Sequence, residues 1–109
     1  MKLIKTIIKP ERFEFVKKAL EDKGIVSMTT SEIRGRGEQK GISLQYRGGT
    51  MTVDMLPKIQ IEIVVKEKDV DSVITILTES ARTGKIGDGK IFIIPVEKSI
   101  RIRTGETEV

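Results

Sequence analysis

The 109-residue chain is the size of one domain, and an apolar share of 38% supports one layered core and not two. Cysteine and histidine are both absent, which excludes thiolate and imidazole metal sites, cysteine nucleophiles, and any base or phosphoryl acceptor built on histidine. Lys and Arg number 20 against 16 Asp and Glu, leaving +4 at pH 7 without like-charge blocks, which suits small anions and not a nucleic-acid arm.

Residues 2–8 (KLIKTII) mix β-branched and apolar side chains and read as a strand. Pro10 then opens a helix in which Phe13, Val16, Ala19 and Leu20 recur at helical spacing, and Gly24 ends it. Residues 25–34 (IVSMTTSEIR) read as a second strand closing on Gly35 and Gly37. From Lys58 the alternation is strict, with Ile59, Ile61, Ile63 and Val65 on one face and Lys58, Gln60, Glu62 and Val64 on the other. Asp69 is placed to cap a helix whose inner face is Val70, Val73, Ile74, Leu77 and Ala81. A glycine-rich turn follows, then a strand over 90–96, and a short one over 99–103 that sets Ile100 and Ile102 opposite Arg101 and Arg103.

Two strand-helix-strand halves in one chain predict an α+β, ferredoxin-like βαββαβ sandwich over 1–109, an antiparallel sheet with both helices on one face. Its uncovered face carries enough Ile, Leu and Val to predict a homo-oligomer. No apolar run approaches the roughly 20 residues of a membrane span and no signal-peptide core opens the chain, so a cytoplasmic protein without membrane insertion is expected.

The stretch 37–55 is too long for an ordinary connection and too apolar near Met51 to Met55 for a plain linker. It reads as a mobile interaction arm, with a merely structural solvent-exposed hairpin as the alternative.

Gly84 to Lys90 has the GxxxxGK spacing of a phosphate-binding loop, but Ile91 replaces the Ser or Thr that would hold magnesium, and the loop runs into a strand. A P-loop NTPase is therefore not expected. Glycines at 84, 87 and 89 still allow backbone N–H groups to crowd an anion beside Lys90; a tight turn is the plain alternative. Arg101 and Arg103, two apart on a strand, would leave one face about 6.7 Å apart, which suits two phosphates or a solvated strand face. Lys58 needs a carboxylate partner, either Glu62 on its own face or a ligand.

The segments IIKPERFEFVKKAL, GRGEQKG, YRG, VDMLPKIQIEIVV and ARTGKIGDGKIFIIPVEKSIRIRTGE together resemble the PII signal-transduction family over essentially the whole chain. The resemblance implies a homotrimer with nucleotide sites between subunits, where ATP and ADP compete. It implies that Gly87, Asp88, Gly89 and Lys90 form the phosphate loop, that Arg101 and Arg103 reach in from across the cleft, and that Thr29, Gly37, Glu38 and Val64 line the nucleotide. Gln39 would help hold Mg2+ on the ATP phosphates, and Gln39, Lys40, Gly41, Lys58 and Gly87 would surround 2-oxoglutarate. Because 2-oxoglutarate can chelate the same magnesium, it would bind well only beside MgATP. Tyr46 and Arg47 correspond to partner-binding positions of the arm, and an ammonium transporter is the leading partner, recruiting the protein to the membrane. Glutamine synthetase and nitrogenase-related targets stay open.

Glu38 stands where the family usually has Arg, which predicts differently tuned ATP binding. Met51 and Gly49 occupy the positions of the family's uridylylated Tyr and phosphorylated Ser, so neither modification is expected there. The runner-up functions are a slow ATP-hydrolysing enzyme, for which no positioned base is evident, and an RNA-binding module, for which the central strands lack aromatic platforms.

Overall fold

The computed structural model describes residues 1–37 and 42–109. Strand β1 (Lys2–Ile8) leads through a 3-10 turn at Pro10–Arg12 into helix α1 (Phe13–Asp22). Pro10 sits in the first turn, where its missing N–H costs nothing. Val16 and Leu20 are fully buried, as the helical spacing requires. Gly24, at φ +81°, lets the chain leave α1 by a double-bonded C-cap, with Ile25 N–H on Leu20 O and Gly24 N–H on Glu21 O, both 2.9 Å.

That cap is why β2 begins later than its composition predicts, at Thr29–Gly35 and not at residue 25. Ile25 gives its N–H to the helix end, and Ile25 and Met28 pack against the core on the descent to the sheet. Next come β3 (Ile42–Tyr46) and β4 (Gly49–Val53), joined by the two-residue turn Arg47-Gly48. The expected long loop is thus in large part a β-hairpin, with Tyr46 and Arg47 at its tip. Strand β5 (Leu56–Val65) returns to the main sheet, and a 3-10 turn at Glu67–Asp69 enters α2 (Val70–Ala81). Asp69 holds the N-cap position without capping: at φ −99°, ψ −6° it is already helical, and its carboxylate makes no cap hydrogen bond.

Strand β6 (Gly89–Pro95) completes an antiparallel sheet of order β2-β5-β1-β6, the ferredoxin-like arrangement that the two halves predict. The final segment departs from expectation. Only Ser99–Ile100 is extended, as β7, and it pairs with β8 (Thr107–Glu108). Between them Gly105 N–H bonds Arg101 O at 2.7 Å and Arg101 N–H bonds Glu106 O at 2.8 Å, so Arg101 and Arg103 lie in a turn and not side by side on a strand.

The core is one layer between helices and sheet: Ile4, Ile8, Ile61 and Ile63 face Val16, Leu20, Val73, Leu77 and Ala81. Each fully buried aliphatic side chain contributes about 1.5–3 kcal/mol. Arg12 clamps the two helices, donating from Nε and Nη2 to Ser80 O at 3.0 and 2.7 Å while its guanidinium stacks 4.1 Å from the Phe15 ring. The register places Leu3, Val64 and Ile94 in one cross-strand row on the opposite face, and Lys5, Glu62 and Phe92 in another. Val64, Phe92 and Ile94 remain substantially exposed there, as the predicted uncovered face requires.

Candidate anion-binding cleft

The loop between α2 and β6 is built around one carboxylate. Asp88 Oδ2 accepts the backbone N–H groups of Thr83 at 2.9 Å and Gly84 at 2.8 Å. The Thr83 hydroxyl donates to Asp88 Oδ1, and Lys9 Nζ lies 3.4 Å from that same oxygen. Thr83 Oγ1 in turn accepts from Lys9 Nζ at 3.3 Å and from the Lys85 N–H at 3.2 Å. The Thr83 hydroxyl above all holds the Asp88 carboxyl well below the usual carboxylate range; partial burial opposes it, and the Thr83 and Gly84 N–H groups and Lys9 add to it. The Asp88 side chain therefore shapes the loop, and its charge is neutralised locally.

With the turn so closed, Gly84, Gly87 and Gly89 take φ values of +84°, +90° and +109°. Gly89 is forced by packing as well as by its dihedral, since a Cβ there would lie 1.7 Å from the Ile7 carbonyl oxygen on β1. Lys90 follows on β6 opposite Ile7, and its carbonyl accepts from the buried Thr6 hydroxyl at 3.0 Å. As the pattern over 90–96 predicts, the loop feeds a strand and not a helix. On the other wall Lys58 Nζ donates to Gly87 O at 3.0 Å, tying β5 to the loop, while Glu62 accepts the Gln60 amide at 3.1 Å.

Lys58, Lys90 and the stretch Gly87–Gly89 border a cleft of about 580 Å³ that also reaches Gly35, Arg36 and Gly37 at the foot of the arm. Its described lining carries the cations Arg34, Arg36, Lys58, Lys85 and Lys90 and one acid, the already engaged Asp88. Such a lining attracts anions, and ammonium, guanidinium and glycine N–H donors together suit phosphate oxygens.

The structure brings Gly37, Lys58, Gly87, Asp88, Gly89 and Lys90 to this cleft. Thr29 and Val64 lie elsewhere, in an open recess of about 560 Å³ with Leu3, Ser27, Met28 and Glu62. Arg101 and Arg103 are in the exposed C-terminal turn, and Tyr46 and Arg47 at the arm tip, where the Tyr46 ring covers Gly48. Glu38, Gln39, Lys40 and Gly41, with the magnesium and 2-oxoglutarate contacts expected of them, lie outside the described residues. Arg36 and the Thr83–Asp88–Lys9 network were not legible beforehand, because nothing local marks a partner several residues or a whole domain away.

Residues 1–106 match the family profile described as Nitrogen regulatory protein P-II. The chain belongs to the P-II family. It is 55% identical over 107 residues to Nitrogen regulatory protein P-II 2 of Methanothermobacter thermautotrophicus, covering 98% of this chain and 93% of that one. P-II proteins are regulatory signal transducers that act on partner proteins, and this chain is accordingly a regulator and not an enzyme. The P-II match spans both halves of the sandwich, the arm, the basic cleft and the turn bearing Arg101 and Arg103. Among the described residues no helix is long and apolar enough to cross a membrane.

Proposed function

We propose that this P-II chain acts as a homotrimeric sensor that binds ATP or ADP through the basic cleft, responds to 2-oxoglutarate, and signals through its arm to an ammonium transporter. The observation that carries this reading is the convergence of Lys90, Lys58 and the Gly87–Gly89 backbone on one cleft whose only described carboxylate is already spent. Charge-assisted contacts contribute roughly 1.5–3 kcal/mol each, so three would account for most of a micromolar affinity near −8 kcal/mol. Magnesium on the bound phosphates would be held with the help of Gln39, and 2-oxoglutarate would meet Lys58.

The separation of cleft and recess supports a shared site. Lys58 and Val64 are six residues apart on β5, about 20 Å of strand, so a nucleotide seated in one cleft would reach the recess of a neighbouring copy. The apolar face with Val64, Phe92 and Ile94 supplies a surface for that association, and the C-terminal turn supplies arginines. A cytoplasmic protein drawn to the membrane by a transporter fits an arm that presents Tyr46, 60% exposed, and Arg47 at its tip. Glutamine synthetase and other nitrogen-metabolism enzymes are further targets of the same arm.

The test is calorimetric titration with MgATP, then with 2-oxoglutarate in the presence and absence of MgATP, on protein whose mass is measured by sedimentation. The expected result is a trimer that binds MgATP and binds 2-oxoglutarate only beside it. Lys90→Ala should weaken MgATP about thirtyfold, the loss of roughly 2 kcal/mol. A monomer, or unchanged affinity in the Lys90 variant, would overturn the corresponding part of the assignment.

A further inference from the structure

Arg36 and Asp54 stand at the two feet of the arm. The β2–β5 ladder ends at the pair Gly35 and Leu56; Arg36 is the next residue beyond it on one side, and Asp54 lies two residues before Leu56 on the other. Across that gap Arg36 Nη1 donates to Asp54 Oδ2 at 3.0 Å, closing a loop that contains the whole β3–β4 hairpin. The same Arg36 borders the basic cleft, which Gly37, Gly87 and Lys90 also line. One guanidinium thus stands between a carboxylate that fastens the arm and a space suited to phosphate.

We propose that Arg36 is an exchangeable clasp: a polyphosphate in the cleft withdraws it from Asp54, so that occupancy of the cleft and closure of the arm's feet oppose one another. The proposal rests on the reading that the cleft takes a polyphosphate. The clasp is weak enough to exchange, because both side chains are more than half exposed, at 60% and 53%, and surface pairs of this kind change populations by only up to about fivefold. The competing contact is stronger. Asp54 takes one N–H of the fork, whereas a phosphate accepts two in parallel, and other cations of the cleft already concentrate it there. By reciprocity, whatever weakens the clasp strengthens phosphate binding, and bound phosphate loosens the feet.

The experiment uses the full chain, its Arg36→Gln and Asp54→Asn variants, and two probes, MgATP and inorganic tripolyphosphate. Affinity is read by calorimetry, and amide hydrogen exchange is followed around Gly35 and Leu56. Both positions are exposed, so the variants keep the fold; their exchange in the core strands β1 and β5 checks it. Arg36→Gln should bind both probes about tenfold more weakly. Asp54→Asn should bind them up to about fivefold more tightly. In the unsubstituted protein MgATP should speed exchange at the feet, while in Asp54→Asn exchange starts fast and MgATP changes it little. Equal affinities in all three proteins, or feet that become more protected on binding, would overturn the clasp and leave the nucleotide reading intact. No binding of either probe by the unsubstituted protein would overturn both.

Discussion

Gly89→Ala tests how the glycine-rich loop is seated on the sheet. The added Cβ would lie 1.7 Å from Ile7 O and 2.8 Å from the Ile7 carbonyl carbon, both backbone atoms of the central strand β1. Either the loop or β1 must retreat by more than about 1 Å to restore an ordinary contact. Retreat of β1 disturbs the pairs Ile8–Gly89 and Ile7–Lys90, and Ile8 belongs to the buried core. Alanine at φ +109° costs roughly 1–3 kcal/mol, and loss of one or two ladder hydrogen bonds adds about 0.5–1.5 kcal/mol each, so the expected destabilisation is roughly 2–6 kcal/mol. Gly84→Ala is the control, because φ there is +84° but nothing lies within 4 Å of the new Cβ; its cost should be about 1 kcal/mol. Guanidinium unfolding of the three proteins, with the slope m checked for constancy, measures the difference. Equal costs for the two alanines would refute the argument that the Ile7 carbonyl, and not the dihedral alone, demands glycine at 89.

The Asp88 carboxyl is held below its ordinary value of 3.8, so its contribution to stability is fully present above about pH 4 and is lost as pH falls through the folded-state value. Asp88→Asn should therefore lower stability at pH 7, with the gap from the unsubstituted protein narrowing as pH drops below 4; a gap independent of pH between 2 and 7 would contradict the assigned cause. Arg12→Ala should cost about 2 kcal/mol through the two hydrogen bonds to Ser80 O and the stacking on Phe15, and Arg12→Lys, which loses the planar fork, about 1 kcal/mol. Identical unfolding midpoints for the Lys variant and the unsubstituted protein would show that the fork geometry is not what joins the helices.

Much of the sandwich was legible in the residues themselves. The alternation Ile59, Ile61, Ile63 and the positions Val73, Leu77 and Ala81 report directly which side chains face the core, because strand and helix periods differ, although Ile76 packs against the core where Val70 and Ile74 were expected. Gly24 announced its own cap, since only a residue free to take positive φ closes a helix in that way. The glycines and lysine of the loop over 84–90 were visible as a chemical type. In the arm, the described part forms the hairpin that stood as the alternative to a mobile segment, turning at Arg47-Gly48.

What the tertiary structure alone decided concerns partners distant in the chain. Arg101 and Arg103 have strand spacing, yet Gly105 and Glu106 bond back to Arg101 and turn the chain there. Asp88 resembles a ligand-facing acid until Thr83, Gly84 and Lys9 are seen to consume its carboxylate. Lys58 and Gly87, 29 residues apart, and Arg36 and Asp54, 18 apart, meet only because the sheet register sets β5 beside the loop and brings the arm's feet together. Periodicity in a sequence records which face of an element is buried, whereas a site is made of contacts between elements, and those are set by register and by the closure of loops.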